Sequence, residues 1–269
     1  MNSNILKITA IALMLAVTTT GCDKNEKSKT DNGVDSEINI RMIEVFDNSP
    51  RTLQMYFATT KIYPCMNYPI DLSWNKTSNS IGFSIKRVIE TNLCLTAVGP
   101  ATATIDLGTL SSGTYQINLQ NRGVMYAGEL VVSSDNYSVN FIDNSAFNFS
   151  NSPLNKIPEN TIWGLINYYG ANYIEEEILP QVQSFFETLI ELGAEKRVYN
   201  PGYYSAFFID EEGSIADPPD ITAYIYAQPF IFYYSGSMAD LEPLVKQYKE
   251  QLHIRIYSDK GEQLLSWDI

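Results

Sequence analysis

The sequence contains a single histidine, His253, and this scarcity limits the chemistry available to the protein. One imidazole excludes a metal site with several histidine ligands and any mechanism that needs two histidines. The sequence also lacks the Gly-rich dinucleotide and phosphate loops, the His-Glu-x-x-His zinc motif and the Gly-x-Ser-x-Gly nucleophile turn. We therefore expect no catalytic residue, no bound metal and no cofactor.

Long apolar runs are rare as well. The longest of interest, Ile8–Val17, follows Lys7 and precedes the segment Thr19–Cys22. Ten apolar residues are too few for a permanent membrane helix but match the core of a signal peptide. The residues Thr19-Thr-Gly-Cys22 resemble the lipobox of bacterial lipoproteins, with threonine where leucine is usual. The resemblance implies that residues 1–21 are removed and that Cys22 carries the lipid that anchors the protein to a membrane; the alternative is an ordinary secretory signal.

Residues 22–36 are polar, of mixed charge and without apolar periodicity. Such a segment cannot bury enough apolar surface to order itself, so we expect a flexible tether. Its charged residues next to Cys22 resemble sorting signals of Gram-negative lipoproteins, particularly those of Bacteroidota. This implies a location in the cell envelope, at the outer membrane or cell surface of a Gram-negative bacterium.

The chain has only three cysteines. Lipidation would use Cys22, which leaves Cys65 and Cys94 as a pair. In an oxidising envelope compartment an isolated pair favours a disulfide, although two buried free thiols remain the alternative.

Acidic residues are distributed unevenly along the chain. The net charge is −3 over residues 23–150 (13 acidic, 10 basic) and −11 over residues 151–269 (18 acidic, 7 basic). A polyanion would be repelled by the second half, so the charge argues against a nucleic-acid partner. Solubility alone is the simpler explanation of the acidic balance.

Short alternating or β-branched runs, separated by turn residues, fill residues 37–143 and predict an all-β sandwich. The run Leu110–Ile117 resembles the tyrosine corner of extracellular immunoglobulin-like modules. That resemblance implies a hydrogen bond from the Tyr115 hydroxyl to the corner backbone. We therefore expect an immunoglobulin-like sandwich. The predicted strands are Glu37–Phe46, Thr52–Thr59, Ile70–Trp74, Ile81–Ile89, Ala101–Leu107, Thr114–Gln120, Val124–Val132 and Ser138–Phe141.

The periodicity changes after a polar, proline-containing segment, 144–160, which we interpret as a linker. Residues 161–269 predict the order β-α-β-β-α-β with one further strand, which suggests an α+β ferredoxin-like domain. Its predicted strands are 161–169, 203–210, 221–234, 253–257 and 263–267, and its helices are 171–192 and a second one that begins with the capping box Ser237–Asp240.

Aromatic residues are concentrated in this second half. Tyrosine offers a large, stiff surface with a polar tip, so a tyrosine-bearing sheet face could contact a protein or a sugar. The alternative is that the rings pack beneath the two helices. Alternation places Phe230, Phe232 and Tyr234 on one face of their strand, with Ile231 and Tyr233 on the other. The candidate binding residues are Tyr203, Tyr204, Tyr224, Tyr226 and Tyr233.

Taken together, these features resemble two-domain exported lipoproteins of the Bacteroidota kind with an immunoglobulin-like first domain. The resemblance implies a non-catalytic, lipid-anchored binding or accessory module for a protein or glycan partner. Two alternatives remain open. One is an inhibitor of a protease or other enzyme that presents loops such as Leu95–Pro100, and the other is a hydrolase with carboxylate chemistry, which requires a deep cleft lined by at least two acids.

Overall fold

Strands dominate the fold, accounting for 48% of the residues that the structure describes. The computed structural model describes residues 33–46, 50–95, 97–168, 175–216 and 227–269. The predicted signal peptide, the lipidation site Cys22 and most of the predicted tether lie outside the described residues. No helix in the described part of the chain is both long and apolar enough to cross a membrane.

The first half is a β-sandwich, as predicted. One sheet has the strand order β5-β2-β1-β9, and the facing sheet contains the consecutive neighbours β8-β7-β6-β4-β3. The strand bounds are β1 Ile38–Val45, β2 Thr52–Tyr63, β3 Ile70–Lys76, β4 Ser80–Val88, β5 Gly99–Asp106, β6 Gly113–Asn121, β7 Val124–Val132, β8 Asn136–Phe141 and β9 Phe147–Phe149.

Alternating side chains from both sheets fill the core of this sandwich. Leu53, Met55 and Phe57 of β2 are fully buried, and they face the same core as Ile81 and Phe83 of β4. Every second side chain of these strands is therefore buried, as the alternating sequence pattern predicted.

Two covalent or polar predictions for the sandwich are confirmed. Cys65 and Cys94 form a disulfide. The Tyr115 hydroxyl donates a hydrogen bond to the Ser111 carbonyl oxygen, at 3.1 Å, as the resemblance to a tyrosine corner implied.

Residues 144–160, predicted as a linker, belong to the sandwich itself. The strand β9 pairs in parallel with β1, and β10 (Leu154–Asn155) pairs with β8. The apolar residues Phe147, Leu154 and Ile157, spaced among polar ones, are all buried. Their burial explains why a segment of polar composition is ordered here.

The predicted strand 203–210 is wrong as a single strand. It forms two short strands, β12 (Gly202–Tyr203) and β13 (Phe208–Ile209), which extend the larger sandwich sheet beyond β10. Between them, the backbone N–H of Tyr204 donates to the Phe207 carbonyl oxygen at 2.8 Å and closes a turn. This local turn prevents a continuous strand.

The C-terminal half contains a separate antiparallel sheet with the order β14-β11-β15-β16. The fully buried strand β11 is central, and the helices α1 and α2 lie on one face of the sheet. The bounds are β11 Thr161–Asn167, α1 Glu175–Glu191, β14 Ala227–Tyr233, α2 Met238–Tyr248, β15 His253–Ser258 and β16 Gln263–Leu265.

Alternation on β14 is confirmed, because Phe230, Phe232 and Tyr234 are buried in the core beneath the helices. The predicted capping box is also present: the side chains of Ser237 and Asp240 each accept a backbone N–H at the start of α2.

The second face of this sheet is covered as well. Trp163 of β11 lies 5.6 Å from Phe46 and 5.9 Å from Phe207, measured between ring centroids. Ile157, Tyr204 and other buried residues complete this small core. It joins the end of the sandwich to the C-terminal sheet and covers this face of β11.

Candidate functional site

A cleft of about 630 Å³ lies where the sandwich meets the C-terminal half. Its size falls within the range of about 300–1,000 Å³ usual for ligand sites. Strand ends and turns from both halves contribute to its walls. Its polar and aromatic lining includes Glu44, Arg51, Asp135, Tyr137, Lys156, Glu159, Thr161, Arg197, Tyr199, Tyr204 and Tyr233.

One wall of the cleft contains a network of charged side chains centred on Arg51. Arg51 donates to the Asp259 carboxylate at 2.8 Å, and its other terminal nitrogen lies 3.6 Å from the Glu44 carboxylate. Arg51 also donates to the Ile157 carbonyl oxygen, whereas the Ile157 N–H donates to Glu44 at 3.1 Å. The network joins β1 of the sandwich to the turn after β15.

Burial shifts the pKa values of two side chains in this wall, Glu44 and Tyr137. The Glu44 side chain is almost completely buried, and burial raises its pKa although the Ile157 N–H and Arg51 lower it. Burial, together with the neighbouring Glu44 carboxylate, raises the pKa of Tyr137 to about 12. At neutral pH Tyr137 is therefore a neutral hydroxyl beside the Glu44 carboxyl group.

Cations lie over tyrosine rings on opposite sides of the cleft. The Arg197 guanidinium carbon is 3.2 Å from the centroid of the Tyr233 ring, and the Lys156 ammonium is 4.7 Å from that of Tyr137. Both side chains are held by a second contact, because Lys156 donates to the Ser133 carbonyl oxygen at 2.6 Å and Arg197 donates to the Glu195 carboxylate at 3.2 Å.

Tyr199 differs from the other tyrosines of the lining. It is buried, and its hydroxyl makes no hydrogen bond of good geometry within the described residues, although the Thr161 side chain lies near enough to lower its pKa. By contrast, the hydroxyl of the equally buried Tyr204 donates to the Asn200 carbonyl oxygen at 3.1 Å. Burial raises the pKa of Tyr199 more than the Thr161 side chain and Arg197 lower it, so its hydroxyl is neutral at pH 7.

The structure separates the tyrosines that the sequence grouped together. Tyr204 and Tyr233 line the cleft, but Tyr204 does so as a buried part of the small core. Tyr203 is exposed, makes an edge-to-face contact with Phe208 and lies outside the cleft lining. Tyr224 and Tyr226 lie outside the described residues.

The loop proposed for an inhibitor is accessible. In the segment Leu95–Pro100, Leu95 and Val98 are exposed, next to the disulfide. Among the described residues, no group of three or more histidine, cysteine, aspartate or glutamate side chains could hold a metal ion.

Sequence reasoning missed Glu44, Arg51, Tyr137 and Tyr199. A usable signal existed for Glu44, because it follows Ile38, Ile40 and Met42 on the inward face of β1. A carboxylate in that series predicts a buried, compensated charge. Its partner Arg51 lies seven positions along the chain and Ile157 lies 113 positions away, and neither has a comparable local signal.

Comparison of the chain with protein-family models, with curated proteins and with solved structures finds no match. The cleft therefore has to be interpreted from its own chemistry.

Proposed function

We propose that the protein is a non-catalytic, lipid-anchored module of the cell envelope that binds a glycan or protein partner in the cleft. The cleft itself carries this proposal, because its volume of about 630 Å³ is that of a ligand site and because tyrosine and cationic side chains line it. The buried Tyr199 hydroxyl makes no hydrogen bond of good geometry there, so a ligand oxygen that reached it would gain a donor.

The chemistry of the cleft favours a glycan over a highly charged partner. Three cations (Arg51, Lys156 and Arg197) are matched there by three carboxylates (Glu44, Asp135 and Glu159), so the lining has no formal charge excess. Tyrosine hydroxyls and cationic N–H groups supply the donors that a hydroxyl-rich ligand requires.

Glycan-array binding with matched variants tests the proposal. Tyr199→Phe should leave the melting temperature unchanged or slightly higher, because the lost hydroxyl makes no hydrogen bond of good geometry, and should weaken glycan binding roughly tenfold. Tyr203→Ser is the control, since Tyr203 lies outside the cleft lining, and should bind as the wild type does. Equal binding by Tyr199→Phe and the wild type would contradict the assignment of the cleft.

A carboxylate-dependent hydrolase is the second candidate, favoured by the presence of Glu44, Asp135 and Glu159 in one cleft and by the raised pKa of Glu44. Its test is the release of reducing ends from cell-wall polysaccharides. Activity that Glu44→Gln abolishes, with its fold intact by circular dichroism, would establish hydrolysis in place of binding.

For the second half we propose a ferredoxin-like arrangement that has lost one strand. Its central strand β11 has β14 and β15 as antiparallel neighbours, and both helices pack on one face, as that fold requires. Glu195 forms a single antiparallel bridge with Tyr233, at the edge where the missing strand would pair. Residues 202–209 pair with the sandwich sheet instead.

For the anchor we propose lipid-modified Cys22, at the outer membrane or cell surface of a Gram-negative bacterium. The supporting observation is the sequence Thr19–Cys22 after an apolar stretch of signal-peptide length.

A further inference from the structure

Exposed apolar side chains of the sandwich are concentrated at one end. They surround the disulfide and the turn between β6 and β7, and we call them the apolar rim. Two of them, Leu93 and Val98, are 75% and 70% exposed. The rim consists of Ile62, Met66, Ile89, Leu93, Leu95, Val98, Val124 and Met125.

The chain enters the fold at this same end. The Gly33 N–H donates to the Lys86 carbonyl oxygen, and the Val34 N–H donates to the Asn121 side chain at 2.8 Å. A Cβ on Gly33 would lie 2.3 Å from the backbone nitrogen of Arg122, which shows how closely the entering chain passes the β6–β7 turn.

Residues 33–36, the end of the predicted tether, are therefore held against the sandwich by the buried Val34. Gly33 lies eleven positions after Cys22, and a chain of that length spans at most about 38 Å when fully extended. A lipid on Cys22 could therefore lie no farther than that from Gly33, the point beside the rim where the chain enters the fold.

The opposite end of the sandwich is already covered. There the turn after β1 and the segment after β10 contact the C-terminal half through Arg51 and its partners Glu44 and Asp259. The rim and the cleft thus lie at opposite ends of the sandwich.

The charge distribution favours the same orientation. Two ion pairs lie beside the rim, Arg87 with Asp71 (3.6 Å) and Arg122 with Asp35. Lys61 lies 5.3 Å from the Tyr63 ring, an arrangement that suits the boundary between lipid and water. The strong negative charge belongs to residues 151–269, which an anionic membrane would repel.

We propose that the apolar rim enters the interfacial layer of the bilayer to which Cys22 is anchored, so that the sandwich stands on the membrane with the cleft facing away. This rests on the lipid anchor proposed above. Anchoring raises the effective concentration of the rim at the membrane, so a few side chains too weak to bind alone suffice to hold the orientation.

Hydrogen exchange on the lipidated protein in vesicles of phosphatidylethanolamine and phosphatidylglycerol tests the proposal. The reference is the Cys22→Ala protein mixed with the same vesicles. We expect amides in segments 88–95 and 121–126 to exchange at least fivefold more slowly in the anchored protein. Residues 107–112 and 133–135, at the cleft end, should exchange equally in both.

Matched variants separate insertion from other causes. Leu93→Asp/Leu95→Asp, at two exposed positions, should remain anchored but lose the protection. Val198→Asp, at a residue of the cleft lining that is 99% exposed, should retain it.

Each failure has a distinct signature. If the wild type floats with vesicles but its rim exchanges as in the reference, the rim proposal is overturned and the anchor stands. If the wild type does not float, the anchor is refuted and the rim proposal falls with it. Protection that disappears as the protein-to-lipid ratio is lowered would show that a second copy, not lipid, covers the rim.

Discussion

Replacing Arg51 with methionine removes the cation that joins the sandwich to the C-terminal half while keeping most of its apolar stem. The guanidinium carbon lies 5.2 Å from the centroid of the Phe46 ring, so the substitution removes this contact together with the ion pairs.

The expected cost follows from what remains behind. Glu44 is 3% exposed and Asp259 is 7% exposed, so two nearly buried carboxylates lose their shared cation. Breaking a buried pair by removing one partner typically costs about 3–5 kcal/mol. We expect Arg51→Met to lower the free energy of unfolding by that amount and the melting temperature by roughly 6–20 °C.

The loss should depend on pH, with a sign set by Glu44. Burial raises the pKa of Glu44 in the folded state, so its ionisation opposes folding as the pH rises above the ordinary value of 4.5. Removing Arg51 takes away an interaction that lowers this pKa. The deficit of Arg51→Met relative to the wild type should therefore be largest at pH 7 and shrink below about pH 4.5, where Glu44 is protonated in both states.

Urea unfolding at pH 7 and at about pH 4 measures both quantities. Arg87→Met is the control, because Arg87 pairs with Asp71 on the surface and its loss should cost less than about 1 kcal/mol at either pH. A deficit for Arg51→Met as small as that of the control, or one independent of pH, would refute the account of the junction.

Three further predictions concern the sandwich and the central strand. Replacing both Cys65 and Cys94 with alanine should lower the free energy of unfolding by about 3.5 kcal/mol, since their disulfide closes a loop with a sequence separation of 29; urea titration would show a much smaller change if the loop is already restricted when unfolded. Gly164→Ala should lower the free energy of unfolding by about 3 kcal/mol, because the new Cβ would lie 2.0 Å from the Arg255 carbonyl oxygen. A melting temperature equal to that of the wild type would show that the backbone here shifts to accommodate the methyl group. Burial raises the pKa of Tyr137 and Tyr204 to about 12, so the stability that their neutral hydroxyls provide should be lost between about pH 10 and 12. In Tyr137→Phe/Tyr204→Phe the free energy of unfolding, measured with urea, should fall less steeply over that range than in the wild type, and an equal slope would contradict the prediction.

The sequence predicts most of the sandwich because burial there follows a period of two. Strands such as β7, predicted at Val124–Val132, have those same bounds in the structure. The helix cap at Ser237 and the tyrosine corner at Tyr115 were predictable for a similar reason, since their partners lie within four residues.

The departures arise where distant contacts decide the outcome. Phe147 and Leu154 are isolated apolar residues in a polar segment, and only their pairing with β1 and β8 orders them. The cleft depends on the meeting of Arg51, Glu44 and Asp259, which are up to 215 positions apart in the chain. No local pattern encodes such a meeting.

We propose that a lipid on Cys22 holds the protein at a membrane, and fractionation of cells that produce wild-type or Cys22→Ala protein tests this claim. We predict that the wild type is recovered with membranes, with an amino-terminal peptide whose mass shows lipid on Cys22. Cys22→Ala should be recovered in the soluble fraction, because the apolar rim alone binds too weakly to retain it. Wild-type protein in the membrane fraction with an unmodified Cys22, or Cys22→Ala retained there as fully as the wild type, would contradict the claim.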